Sequence, residues 1–200
     1  MKPNIILASE SITWQNLLTQ AGVIFNSVSA KIDEITIKKS LTGEGANPND
    51  IVDALAEFKA ARVANNYPTD IVIGSDQILV FEGEIISKAK NMIDAKKTLK
   101  RLKGKTHQLL SSAVIYEDNK PVWRTISRAQ LFMREFSDEF LEEYIENSGN
   151  IILSSVGCYL LEEKGVNLFN RIQGDYFTVL GFPLLEVLDF LRKRGLIITW

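Results

Sequence analysis

One cysteine and one histidine are all that this 200-residue chain carries of the two side chains most used for redox and metal chemistry. Cys158 has no partner for an intrachain disulfide, and a lone thiol builds no cysteine-based metal cluster. A reduced, cytoplasmic setting fits that usage. With His107 alone, a multi-histidine metal site or a serine triad of the usual kind is excluded unless a partner chain contributes. No apolar run approaches the length of a membrane span. Asn4, Ser9 and Glu10 interrupt any signal-peptide core. An excess of one charge is missing too. Lys and Arg total 23 against 25 Asp and Glu, a net charge of -2, so no basic balance points to nucleic acid. Low-complexity linkers and internal repeats are also absent. Hydrophobic residues at 46% and charged residues at 24% place the chain among globular proteins. Its length suits one domain, or two small lobes sharing a cleft.

The most informative stretch is 70–88, DIVIGSDQILVFEGEIISK. Ile71, Val72 and Ile73 form a β-branched run, and Gly74-Ser75 reads as a turn pair. Asp76 and Gln77 follow, then a second apolar run through Phe81. Glu82-Gly83-Glu84 is a tight turn leading towards Lys88. The pattern predicts a buried strand ending at Gly74, with Asp76 at its carboxyl end, and then a β-hairpin. Ligands in α/β sheets bind at strand carboxyl ends. The competing reading is a surface hairpin with a solvated aspartate, since acidic turn residues are common.

Elsewhere, residues 4–8 (NIILA) read as a buried first strand, with Ser9 and Ser11 after it. Trp14, Leu17, Leu18 and Ala21 recur at helical spacing up to Gly22. Strand, serines and helix start could hold phosphate oxygens, or one serine could serve only as an N-cap. Residues 23–28 are a strand candidate. The charged stretch 31–39, with Asp33 and Glu34, reads as irregular, and 41–48 as loop. A helix capped by Asn49 or Asp50 follows to about Ala64, with Ile51, Leu55, Phe58 and Val63 inward. It carries Lys59, and helix lysines mostly lie in solvent. Helices are further predicted at 91–102, 137–145 and 184–194, and a short one around Val166, Phe169 and Ile172. Residues 106–116 and 121–134 read as paired strands, and 156–161 as a strand with Glu162 at its end. Cys158 reads as a small packed hydrophobe. The mixture makes the class α/β.

Several of these pieces, taken together, resemble the Maf family of nucleoside triphosphate pyrophosphatases. They are ILASES near the start, LAEFKA at 55–60, the stretch around SDQ at 75–77, LKGKTH at 102–107, and SVGCYLLEEKGVNLFNRIQGDYFTVLGFPL at 155–184. They stand in family order along nearly the whole chain. The resemblance implies a single Maf-like domain over 1–200. Its fold would be a mixed, twisted central sheet flanked by helices, inosine triphosphatase-like, with two lobes around a cleft and usually a homodimer. It implies hydrolysis of a nucleoside triphosphate between the α- and β-phosphates, with a divalent metal cation (Mg or Mn). It assigns Asp76 as proton acceptor and Ser9, Glu34, Lys59 and Lys88 to phosphates and metal. A carboxylate can take a proton from water, hard cations want oxygen ligands such as Asp76 and Glu34, and lysines neutralise phosphate charge. Whether Asp76 is base, metal ligand or both stays open.

The family divides by nucleobase, and Gln77 and Glu162 match its 7-methyl-GTP branch. Guanine presents N–H donors on its Watson–Crick edge, which suits a carboxylate acceptor. Thr13 occupies a further position tied to base choice. The chain departs from the family where one or two arginines normally follow the first serines. Here the run is Ser11-Ile12-Thr13-Trp14-Gln15, and Trp14 cannot clamp phosphate as a guanidinium does. The usual Gly-Lys-Pro turn is Ser87-Lys88-Ala89. Two expectations follow: an active pyrophosphatase, or a degenerate homologue that binds nucleotides or a division partner with little turnover. His107, in the family's Gly-x-x-His piece, reads as structural.

Overall fold

A computed structural model describes residues 3–197. It is a mixed α/β protein built on a seven-stranded sheet and seven α-helices among the described residues. The strands are β1 (Ile5–Leu7), β2 (Asn26–Ser27), β3 (Ile71–Phe81), β4 (Glu84–Ile86), β5 (Thr106–Glu117), β6 (Lys120–Met133) and β7 (Phe169–Gln173). The helices are α1 (Ile12–Gln20), α2 (Glu34–Gly43), α3 (Pro48–Ala64), α4 (Met92–Leu102), α5 (Asp138–Ser148), α6 (Tyr176–Val179) and α7 (Leu184–Lys193). Sheet order is β2-β1-β3-β5-β6-β7, with β4 paired to β3. β1 runs parallel to both neighbours, and Ile5, Ile6 and Leu7 face Ile71, Val72 and Ile73. β4 and β7 pair antiparallel to β3 and β6. No helix among the described residues is long and apolar enough to cross a membrane.

The chain divides into two compact units, and β3, β5 and β6 each contribute to both. Among the described residues the first holds 3–77, 111–127 and 181–197. One of its cores gathers Ile6, Ala8, Ala56, Ala60, Val63, Val72 and Val114. The second holds residues 78–110 and 128–180, around Leu79, Phe81, Leu99, Leu131, Leu141, Tyr159 and Leu168.

β3 departs from the expected strand-and-turn. It continues through Gly74 and Ser75 without a break, so Asp76 lies mid-strand. Gly74 is needed for closeness, not for turning. A Cβ there would lie 2.2 Å from the Ala56 carbonyl oxygen and 2.6 Å from the Ala60 amide nitrogen. The small residues Ala56 and Ala60 on α3 and the bare Gly74 let helix and strand backbones meet.

Other expectations shift as well. Residues 31–39 contain the start of α2, which has no buried residue and is capped by Asp33 accepting from the Thr36 N–H at 3.1 Å. The cap of α3 is Asn47, not Asn49 or Asp50, and Phe58 faces outward. β2 keeps only two of six expected residues. Residues 156–161 are turn and irregular chain, although Val156, Cys158 and Tyr159 are buried. Cys158 there has φ 59°, which no strand permits. Residues 164–168 form a 3-10 segment and 169–173 a strand, where a short helix was expected.

Gly74→Ala is therefore expected to cost about 1–3 kcal/mol, as overpacking does. A thermal melt indistinguishable from wild type would show that α3 can move off β3 freely.

Candidate active site

The first unit's candidate residues begin where β1 ends. Ala8 N–H donates to the Ile73 carbonyl at 2.8 Å, the last backbone tie before the chain leaves the strand. Ser9 Oγ then accepts from the Ser11 N–H at 3.1 Å, and Ser11 Oγ caps α1 by accepting from the Trp14 N–H at 3.4 Å. Of the two serine roles left open by the sequence, capping belongs to Ser11. Ser9 holds the turn that precedes it. Thr13 sits half-buried in the first turn of α1.

Lys59 projects from the inner face of α3 and is only 9% exposed, so it is not the solvated lysine that its position on a helix would favour. Its ammonium donates to Asp76 Oδ1 and lies 2.7 Å from Glu34 Oε1. Asp76 is 4% exposed. Burial pushes its carboxyl above the usual aspartate range against the opposing pull of Lys59, and the Glu34 charge adds to the rise. Burial alone would lower Lys59, but the two carboxylates outweigh it and hold the ammonium above the ordinary lysine value. Glu34 is the first residue of α2, where the helix N-terminus favours a negative charge. Asp33, just before it, is held below the usual range by the Thr36 backbone N–H that it caps.

Gln77 follows on β3, with its Nε2 donating to Ser111 Oγ at 3.2 Å. Ser111 had no distinguishing mark in the sequence; only the register of β5 beside β3 places it there. Ser75, fully buried, donates to the Ser112 carbonyl at 2.6 Å and ties the same two strands. Trp14 is 8% exposed and packs on Phe182, ring centroids 5.9 Å apart.

Lys88 and Glu162 belong to the second unit, both exposed: Lys88 beyond β4 and Glu162 in the turn 161–163. Tyr176, unremarked in the sequence, is Glu162's neighbour. Burial and then the Glu162 charge push its phenol up. His107 is buried, with Nε2 2.6 Å from the Tyr159 hydroxyl, and burial lowers it to about 4. It is thus neutral at neutral pH and packed as a core residue.

Two carboxylates could face a cation in the first unit. Asp76 Oδ2 is buried and has no hydrogen-bond partner among the described residues, while Oδ1 is committed to Lys59. An orphaned buried carboxylate oxygen is costly unless something else meets it. No group of three His, Cys, Asp or Glu that could hold a metal forms among the described residues. Asp76 and Glu34 are oxygen donors of the kind that would suit a hard cation such as Mg²⁺, which is commonly bound through one or two protein carboxylates.

Removing the ammonium should expose what it balances. Lys59→Met is expected to lose about 3–5 kcal/mol, the usual cost of orphaning buried charge. Lys59 is raised, so its contribution is fully present below 10.5 and is lost only as pH rises through its folded value. Asp76, already raised, rises further without it. The variant's folded state then favours a protonated Asp76, and its stability falls as pH climbs from 3.8 through the new folded value. Denaturant melts should show a larger deficit at pH 8 than at pH 5; an equal deficit would separate Lys59 from Asp76 energetically. Trp14→Arg, which would restore the expected guanidinium if that side chain faced phosphate, should instead lower the melting temperature, because it sets a charge against Phe182.

Comparison with known proteins bears on the whole chain. The chain is 48% identical to the nucleoside triphosphate pyrophosphatase of Ruegeria sp. (strain TM1040), over 98% of this chain and 99% of that protein. It is also 48% identical to the nucleoside triphosphate pyrophosphatase of Caulobacter vibrioides, over 96% of each. Identity to the 7-methyl-GTP pyrophosphatase of Brucella abortus is 43%, over 97% of this chain and 98% of that one. The family described as Maf-like protein matches residues 4–194, and with relatives of this identity and coverage the chain belongs to that family.

Proposed function

We infer that this protein is a nucleoside triphosphate pyrophosphatase, a hydrolase of phosphoanhydride bonds, and that it cleaves 7-methyl-GTP between the α- and β-phosphates to the monophosphate and pyrophosphate. The observation that carries the catalytic reading is the state of Asp76. A carboxylate kept for stability alone would have both oxygens satisfied, yet here one is held by Lys59 and the other is buried and unpartnered.

In the proposed mechanism Asp76 Oδ2 accepts the proton of the attacking water, and Lys59 fixes the carboxylate through Oδ1. The raised value of Asp76 brings the base closer to working pH, which favours proton transfer. Lys59 and Lys88 neutralise triphosphate charge, and Ser9 contributes a hydroxyl to phosphate. A divalent cation, Mg or Mn, held by Asp76 and Glu34, would supply charge neutralisation at the phosphates. Thr13, Gln77 and Glu162 are assigned to base choice. A carboxylate facing guanine N–H groups makes charge-assisted hydrogen bonds, about twice as strong as neutral ones. Methylation at N7 adds positive charge that the same carboxylate favours. The proposed setting is cytoplasmic, with a homodimer as the working form.

A panel of 7-methyl-GTP, GTP, dTTP and UTP with Mg²⁺ or Mn²⁺, scored for pyrophosphate release, tests this. The methylated guanine nucleotide should have the highest kcat/KM. Glu162→Gln should erode that preference more than it lowers pyrimidine rates. Asp76→Asn should lose about 10²–10⁴-fold in rate. Preference for dTTP or UTP would overturn the base assignment and leave the hydrolase. No release from any triphosphate would instead favour a nucleotide-binding homologue with little turnover.

A further inference from the structure

Trp14 stands where the family resemblance led us to expect an arginine, and its surroundings give it a task of its own. Its ring face lies beside Lys59, with the ammonium 5.9 Å from the ring centroid. Its Nε1 edge faces Gly181. A Cβ built on Gly181 would sit 3.0 Å from Trp14 Nε1 and 3.3 Å from both Cδ and Oε1 of Gln77. The indole N–H and the Gln77 carbonyl oxygen thus border the same methyl-sized gap. Gly181 holds a φ of +93°, open to glycine and strained for other residues, so the gap is kept by the backbone itself. On its other side Gln77 is committed, because Nε2 donates to Ser111 Oγ.

We propose that Trp14 is a positioning residue that presets Gln77: its indole N–H and Ser111 together hold the carboxamide in one orientation, with Nε2 on Ser111 and Oε1 towards Trp14. An amide reads a base through whichever end it presents, since one end donates and the other accepts. Fixing the orientation therefore fixes what Gln77 offers to a nucleobase. The cation–π approach of Lys59 to the ring ties Trp14 to the Lys59–Asp76 pair as well. The inference rests on the assignment of Gln77 to base choice.

Two measurements test it. In the first, Trp14→Phe keeps an aromatic ring against Phe182 and removes the indole N–H together with part of the ring's volume, a loss that the Trp123 control below shares. Discrimination between 7-methyl-GTP and UTP, as the ratio of kcat/KM values, should fall by about 3- to 10-fold, the worth of one net hydrogen bond. The loss should appear mainly in KM. Trp123→Phe, an equally conservative change at a tryptophan packed on Phe190, should leave the ratio alone. An unchanged ratio in Trp14→Phe would overturn the role in specificity.

The second reads the contact without turnover. In ¹H–¹⁵N spectra of the intact protein, the Trp14 indole N–H signal is identified by its loss in Trp14→Phe. It should shift and exchange faster with solvent in Gln77→Leu. An indole signal indifferent to Gln77 would overturn the positioning itself. A shifted signal together with absent hydrolysis of every triphosphate would uphold the positioning and reject the pyrophosphatase reading.

Discussion

Everything at the candidate site depends on one lysine kept out of water. An ammonium inside a protein costs several kcal/mol of lost hydration unless opposite charge meets it. Lys59 meets two carboxylates, Asp76 from a strand and Glu34 from a helix start. Each partner is in turn fixed by something cheaper. Asp76 is held by the register of β3, and Glu34 by the Asp33 cap that starts α2. α2 buries none of its residues. Ile37 and Leu41 are only half-buried, and the ion pair from Glu34 adds a polar tie to α3.

That arrangement needs backbones in contact. Lys59 reaches Asp76 because α3 lies against β3 at Gly74, where even a methyl group would collide with the helix backbone. The glycine reads as a turn in the sequence because Gly-Ser pairs usually are turns. Here it serves close helix–strand packing, the other use of a missing side chain. Glycine identity alone does not separate the two uses. The apolar runs on either side, Ile71–Ile73 and Ile78–Phe81, belong to one long strand that carries Gly74 to Gln77 between them.

Long, strongly patterned elements were legible: β1, α1, α4, β5, β6, α5 and α7 lie within a few residues of where periodicity and capping put them. The misses share a cause. α2 has no apolar stripe, so only its Asp33-x-x-Thr36 cap advertised it. The buried run at 156–161 packs as irregular chain, and periodicity does not distinguish a short buried strand from a buried loop. The resemblance named the candidate residues, whereas their partners in the structure had no signal in the sequence. Ser111 and Gly181 carry no local signal, and their place beside Gln77 exists only once β5 lies beside β3 and the chain ahead of α7 returns to the same unit.

The charge count of this cluster bears on the missing arginine. Two ammoniums, Lys59 and Lys38, balance the two carboxylates and leave no positive charge to spare before any substrate arrives, and a triphosphate adds negative charge. A guanidinium at position 14 would offset part of that. Trp14 offers only a ring quadrupole, which favours Lys59 but gives phosphate no positive charge. On the proposed reading the deficit falls to the divalent cation, and the unpartnered oxygen of Asp76 is the group placed to receive it. The same oxygen is then contested, since a carboxylate oxygen bound to a cation is a poorer proton acceptor. On that reading Glu34, half-exposed at a helix start, would take the larger share of the cation and leave Asp76 Oδ2 for water, while Lys59 contacts both carboxylates.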